Sequence, residues 1–327
     1  MIPLYLAFTR PTQRWTTNNS ALTRIVTVIV LHCKLRLRPQ YVLPLMKNYI
    51  ELTKPRVTWL ILMSTGVGYF FGSMSGWHWT TLLHAIIGTG LIASGTAALN
   101  QWYEREADGK MKRTRNRPLP SGRLESDKAL AFAIAISVLG FVELWLGANA
   151  LTALLGLFTL LTYLFVYTPL KQRSPHSTTV GAIPGAMPPL IGYAAAAGKL
   201  TWEAWILFAI LFVWQFPHFY AIAWMYREDY ERAGIRMLPV VEPDGISTAR
   251  QILWYSAALI PISLVPKFLS MAGDIYLFGA LLLGMFFVYS GLRVRTERTR
   301  QQARRVLLAS VVYLPLLYSL MLIDRPV

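Results

Sequence analysis

The chain has 327 residues, 54% of them hydrophobic and only 15% charged, and its mean hydropathy is +0.42. A soluble domain carries about 25% charged residues, so this composition excludes an ordinary soluble fold and marks an integral membrane protein. A formal net charge of +16 would point to nucleic acid in a soluble protein, but here its placement along the chain records topology, and no nucleic-acid partner is expected.

The single cysteine, Cys33, excludes an internal disulfide framework and a cysteine-rich metal site. It lies in a basic N-terminal extension, residues 1–45. Residues 1–50 contain no Asp or Glu but carry Arg10, Arg14, Arg24, Lys34, Arg36, Arg38 and Lys47. Two readings stand for this leader: a mitochondrial targeting segment, whose basic, acid-free character it shares, or a dispensable extension ahead of Met46. The apolar run 25–31 is too short to span a bilayer. Residues 46–327 form the expected membrane domain.

Nine apolar runs approach the roughly 20 residues that cross a bilayer. They are residues 57–73, 81–99, 129–147, 150–167, 180–197, 202–221, 252–269, 275–292 and 306–323. The expected fold is therefore all-α, a polytopic bundle of nine transmembrane helices. Segments following the second, fourth, sixth and eighth runs hold 20 of the 32 lysines and arginines, whereas the opposite side holds only Lys199, Lys267 and Arg325. Positive-inside bias places the N-terminus and the charged loops in the cytoplasm.

The most charged of these loops, residues 100–123, reads N-Q-W-Y-E-R-E-A-D-G-K-M-K-R-T-R-N-R-P-L-P-S-G-R. Asn100, Glu104 and Asp108 fall at i, i+4 and i+8. If the preceding helix continues into the loop, all three share one face. An amide and two carboxylates suit magnesium, which takes oxygen ligands and completes its shell with water and a substrate's phosphates. Lys112, Arg113, Arg115 and Arg117 follow at once, and guanidinium groups match phosphate oxygens. The spacing suggests a metal-diphosphate site; a merely solvated loop face is the competing reading.

The same stretch resembles the first signature of the UbiA superfamily of intramembrane prenyltransferases, and most closely its branch acting on haem. Matches fall at Asn100, Glu104, Arg105, Asp108, Met111, Arg113, Thr114, Arg117, Pro118 and Leu119. Glu106 stands where aspartate is more usual, and many members carry aspartate in place of Glu104; both changes keep the charge. Residues 51–56, E-L-T-K-P-R, resemble the family's entry sequence, which implies a phosphate contact by Lys54 or Arg56. The segment T-P-L-K at 168–171 resembles another family motif, whose lysine implies that Lys171 meets the diphosphate. Residues 181–193, G-A-I-P-G-A-M-P-P-L-I-G-Y, match the family as well, and their prolines and glycines should break the helix around a cavity.

Residues 214–241 carry a second charged cluster, W-Q-F-P-H-F-Y-A-I-A-W-M-Y-R-E-D-Y-E-R-A-G-I-R-M-L-P-V-V. Where related polyprenyltransferases have aspartates, Tyr226 and Tyr230 stand here, leaving Glu228 and Asp229 as the metal ligands the resemblance implies. His218 lies in the family feature W-Q-x-P-H-F, and imidazole is a frequent haem ligand, so contact with the acceptor is expected there.

The resemblance implies transfer of farnesyl from farnesyl diphosphate to a vinyl group of haem B, with water added and Mg2+ as cofactor. Asn100, Glu104, Asp108 and Asp229 would be catalytic; Lys112, Arg113, Arg117, Lys171 and Arg56 would bind diphosphate. The metal would be held by Asn100, Glu104, Asp108, Glu228 and Asp229. The implied location is the bacterial inner membrane, or alternatively the mitochondrial inner membrane, with a complex with a downstream haem A synthase. The alternatives are a prenyltransferase using a quinone-precursor or chlorophyll-type acceptor, and a membrane transporter.

Overall fold

The computed structural model describes residues 39–73 and 76–326, with side chains from Leu45 onward. The chain falls into two units, Met1–Lys47 and Asn48–Val327. Of the first unit only the start of helix α1, Pro39–Leu52, is described; the rest of the expected leader lies outside the described residues.

The second unit is helical throughout, with no strand among the described residues. In chain order it contains α2 (Pro55–Gly72), α3 (Trp79–Tyr103), α4 (Arg105–Lys110), α5 (Ser126–Gly147), α6 (Ala150–Leu170), α7 (Ser177–Gly185), α8 (Met187–Ala197) and α9 (Trp202–Met225). After these come α10 (Arg227–Arg232), α11 (Leu238–Val241), α12 (Ile246–Phe268), α13 (Asp274–Thr296) and α14 (Arg300–Ile323).

Among the described residues seven segments are long and apolar enough to cross a membrane: α3, α5, α6, the α7–α8 pair, α9, α13 and α14. They coincide with seven of the nine expected runs. Helices α2 and α12 occupy the other two places. Both are less apolar, α2 through Arg56 and its small polar residues, α12 through Arg250, Gln251 and Lys267. Length and composition therefore support seven crossings and leave nine as an expectation.

Backbone hydrogen bonds close within each helix, as a bilayer demands, and several buried hydroxyls bond back onto the same helix. Ser64 and Thr65 donate to Leu60 O and Ile61 O, and Thr96 and Ser137 to Ile92 O and Ala133 O. Large apolar side chains such as Leu146, Trp254, Phe268 and Phe278 face outward, where lipid rather than water is their solvent. Trp79 and Trp202 are exposed at the start of α3 and α9, the place of an aromatic interface belt.

The expected break in residues 181–193 falls at Ala186, between α7 and α8. Pro188 and Pro189 occupy the first turn of α8, where their missing N–H groups are not needed. Beyond the break α8 lies backbone to backbone on α2. A β-carbon at Gly68 would overlap the Pro189 carbonyl, and one at Gly192 would overlap the Thr65 carbonyl. Small residues permit this approach, and it is how helices gain packing contacts in a membrane.

Candidate active site

Helix α3 ends at Tyr103, but its register does not. The Glu104 N–H donates to Asn100 O at 2.9 Å and the Asp108 N–H to Glu104 O at 2.8 Å. The i to i+4 pattern thus passes through the join into α4, and Asn100, Glu104 and Asp108 all line one cavity of about 140 Å³. Only 2%, 8% and 1% of their respective surfaces are exposed, so these are not side chains of a solvated loop face. That competing reading is excluded.

Cations answer them across the cavity. Lys171 Nζ donates to both Glu104 oxygens, at 3.0 and 3.2 Å. Arg117 Nη1 donates to Asp108 Oδ2 at 2.7 Å. Lys54 Nζ donates to Asn100 Oδ1 at 3.4 Å, and the Asn100 amide donates to Thr168 Oγ1 at 3.3 Å. Burial alone would pull the Lys171 pKa down, but the adjacent Glu104 carboxylate outweighs it and holds the ammonium well above its usual range. Lys54 behaves oppositely. Burial, reinforced by Arg117 and Lys171, lowers it to about 8.

Two tyrosines that sequence reasoning missed also line the cavity, as does Tyr230 of the second charged cluster. A π-helical turn at Thr162–Tyr167 interrupts α6, a device that recurs at functional sites. Tyr163 and Tyr167 both line the cavity, their rings 4.9 Å apart, with Lys171 Nζ 4.5 Å from the Tyr167 centroid. Their apolar run masked them. The usable signal was the i, i+4 spacing of Tyr167 and Lys171.

The other expected site residues divide. Arg113 lines the cavity. Arg56 and Lys112 are exposed and do not line it; Lys54, two positions before Arg56, takes the place expected of Arg56. The reason is local: Lys54 adopts a left-handed backbone conformation, φ 49°, immediately before α2, and its side chain reaches Asn100.

Asp229 is buried and joins the two charged motifs, accepting from the Lys112 backbone N–H at 3.1 Å and from Arg232. Burial opposes its charge, but these donors prevail and hold its carboxyl below the usual carboxylate range. Glu228 is exposed, and neither acid lines the cavity. His218 also stands apart from the cavity lining. Its Nδ1 lies 2.8 Å from Ser310 Oγ on α14, and its ring stacks on Trp214 at 4.8 Å.

The donor chemistry permits a fit test for magnesium. Among the described residues no group of three or more His, Cys, Asp or Glu side chains could by itself hold a metal. Asn100, Glu104 and Asp108 do converge as hard oxygen donors on one cavity, which fits a magnesium ion whose remaining ligands come from phosphate and water. Glu228 and Asp229 do not join this donor set: neither lines the cavity, Glu228 faces outward, and Asp229 is turned to the Lys112 amide and Arg232.

An acid- and cation-lined cavity in a bundle of apolar helices can take an anionic head group beside a lipid tail, and the comparisons with known proteins assign this arrangement to an intramembrane transferase. The chain belongs to the UbiA prenyltransferase family, which matches residues 61–314. It is 69% identical over 290 residues to a protoheme IX farnesyltransferase of Solibacter usitatus (strain Ellin6076), covering 86% of this chain and 99% of that protein. The fold is similar to a solved structure concerning digeranylgeranylglyceryl phosphate synthase in membranes, with TM-score 0.72 at 18% identity over 86% of this chain and 98% of that one. It is also similar to a UbiA homolog from Archaeoglobus fulgidus bound to GPP and Mg2+, with TM-score 0.58 at 16% identity over 84% of this chain and 99% of that one.

Proposed function

We propose that this protein transfers the farnesyl group of farnesyl diphosphate to a vinyl group of haem B. The observation that carries the reading is the near full-length, 69% identity to a protoheme IX farnesyltransferase, combined with a buried cavity whose residues suit a diphosphate. In the reaction the bond from C1 of farnesyl to the diphosphate oxygen breaks, and its electron pair leaves with the diphosphate. The vinyl π electrons of haem B then form the new bond to C1. Water adds to the resulting cation and loses a proton, giving a hydroxyethylfarnesyl side chain.

The chain's own residues serve the first of these steps. Lys54, Arg117 and Lys171 neutralise the charge that develops on the departing diphosphate, the kind of preorganised electrostatics that dominates such transfers. Asn100, Glu104 and Asp108 would hold Mg2+, which when bound supplies Lewis-acid charge at the diphosphate. The faces of Tyr163 and Tyr167 favour positive charge beside the cavity. Asp229 acts indirectly, fixing the Lys112–Arg113 backbone against α10. His218, expected as an acceptor contact, has no assigned part in this site.

The distribution of lysine and arginine supports a site that opens on the cytoplasmic side of its membrane, and the similarity to a protein of Solibacter usitatus supports a bacterial inner membrane, so that the diphosphate head comes from water and the farnesyl tail from lipid. A complex with a haem A synthase would consume the product and belongs to the same proposal. The test is mass analysis of pigment after incubating purified protein with haem B, farnesyl diphosphate and magnesium, beside a chelator control. A magnesium-dependent haem heavier by one farnesyl group plus a hydroxyl group is expected. Unchanged haem from folded protein would overturn the reading.

A further inference from the structure

Four cations line the cavity: Lys54, Arg113, Arg117 and Lys171. Three rest on oxygen acceptors within it, Asn100, Asp108 and Glu104 respectively. Arg113 is held differently. Its guanidinium lies over two tyrosine rings, 4.7 Å from the Tyr226 centroid and 4.6 Å from that of Tyr230. Tyr230 is itself buried and lines the cavity, whereas Arg113 is exposed toward water. Tyr226 is also approached by Arg300, from the start of α14, at 5.9 Å from its centroid.

The chemistry of such a holder differs from that of an acid. A carboxylate fixes an arginine by cancelling its charge. An aromatic face fixes it through its quadrupole and leaves the full charge and the N–H donors available. The pair stands at i, i+4, bracketing Asp229, whose carboxylate accepts from the amide of Lys112. The carboxylate thus fixes the backbone next to Arg113 while the rings fix its head, and a second cation beside Tyr226 makes the surroundings more attractive still to an anion.

We propose that Tyr226 and Tyr230 are positioning residues, forming an aromatic clamp that presents Arg113 uncompensated at the water-facing side of the cavity to the anionic phosphate oxygens of the substrate head. This rests on the reading of the cavity as a diphosphate site. It assigns the tyrosines a task that the reaction scheme leaves open, and it makes Arg113, rather than further acids, the second electropositive arm of the site.

The test uses the full-length protein in detergent and inorganic diphosphate as the probe, so that no prenyl acceptor is required. Diphosphate binding is measured by calorimetry, with and without magnesium. Replacing both tyrosines by Phe, which keeps the rings, should leave affinity within about twofold. Replacing both by Leu should weaken it about tenfold, within the range of partly desolvated cation–π contacts. Arg113→Ala should cause a similar loss, and adding the Leu pair to it should cause little more, because clamp and cation act as one unit. Tyr230→Asp should also weaken binding, by neutralising Arg113, and added magnesium should not restore it. Unchanged affinity in the Leu variant, additive losses, or tighter magnesium-dependent binding by Tyr230→Asp would each overturn the clamp while leaving the cavity's function intact. Failure of the unaltered protein to bind diphosphate at all would overturn both.

Discussion

Lys171 and Glu104 stand 67 positions apart in the chain, yet the Lys171 ammonium donates to both oxygens of the Glu104 carboxylate, at 3.0 and 3.2 Å. With their side chains only 11% and 9% exposed, the pair joins the end of α6 to the end of α3 inside the cavity. Each group is the other's counter-charge here; under the proposed function, diphosphate and metal would offer each a new partner.

Breaking that pair from one side leaves an uncompensated buried charge. Glu104→Gln should lower stability by about 3–5 kcal/mol, seen as a lower thermal midpoint in detergent. The double variant Glu104→Gln with Lys171→Met should recover much of that stability and still fail to transfer farnesyl. Equal instability in the single and double variants would remove the pair from the account.

Lys54 gives the site an alkaline limit. Its folded pKa, about 8, lies below the ordinary lysine value. Between these values the unfolded chain binds a proton that the folded chain lacks, so this group's contribution to stability rises with pH there. Diphosphate affinity should move the opposite way, falling as pH rises through about 8 while Lys54 loses its charge. Above that pH binding should take up a proton, visible as a buffer-dependent heat in calorimetry. Lys54→Arg should flatten the pH dependence and abolish the proton uptake.

Asp108 is 1% exposed and paired with Arg117 at 2.7 Å. Asp108→Asn should abolish turnover while the protein still inserts in the membrane and elutes as a folded species. Raising the magnesium concentration should not restore it. Full activity in this variant would exclude the acid face of the site.

Helix α2 offers an internal control on packing. Gly68→Ala must displace the Pro189 backbone, whereas at Gly66 nothing lies within 4 Å of an added β-carbon. The first should cost about 1–3 kcal/mol as an overpacked contact. The second should be neutral or stabilise by up to about 1 kcal/mol, since alanine favours helix over glycine. Thermal midpoints measured side by side decide it.

His218 donates or accepts at Ser310, not in the cavity. His218→Ala should therefore loosen the α9–α14 contact and leave diphosphate affinity unchanged. A changed haem absorption spectrum on titrating haem B would instead assign the imidazole to iron.

Sequence alone determined the membrane class, seven of the nine expected apolar helices as strongly apolar spans, and the acid face. Each depends on local periodicity: apolar runs of bilayer length, and Asn100, Glu104 and Asp108 spaced at one helical turn. The charged ends of the helices were legible for the same reason, since lysine and arginine are excluded from lipid and gather in loops. Only the tertiary structure decided which charges face the cavity. Lys54 rather than Arg56 enters because a left-handed residue turns the chain just before α2, and Tyr163 and Tyr167 turn inward where a π-helical turn interrupts α6. Asp229, which looks like a metal ligand in sequence, holds the two motifs together, because its partner Lys112 N–H lies 117 residues away. Local spacing can specify a face, but which face meets which depends on the close approach of backbones such as Gly68 and Gly192 on α2 and α8, and those contacts exist only after the helices have packed.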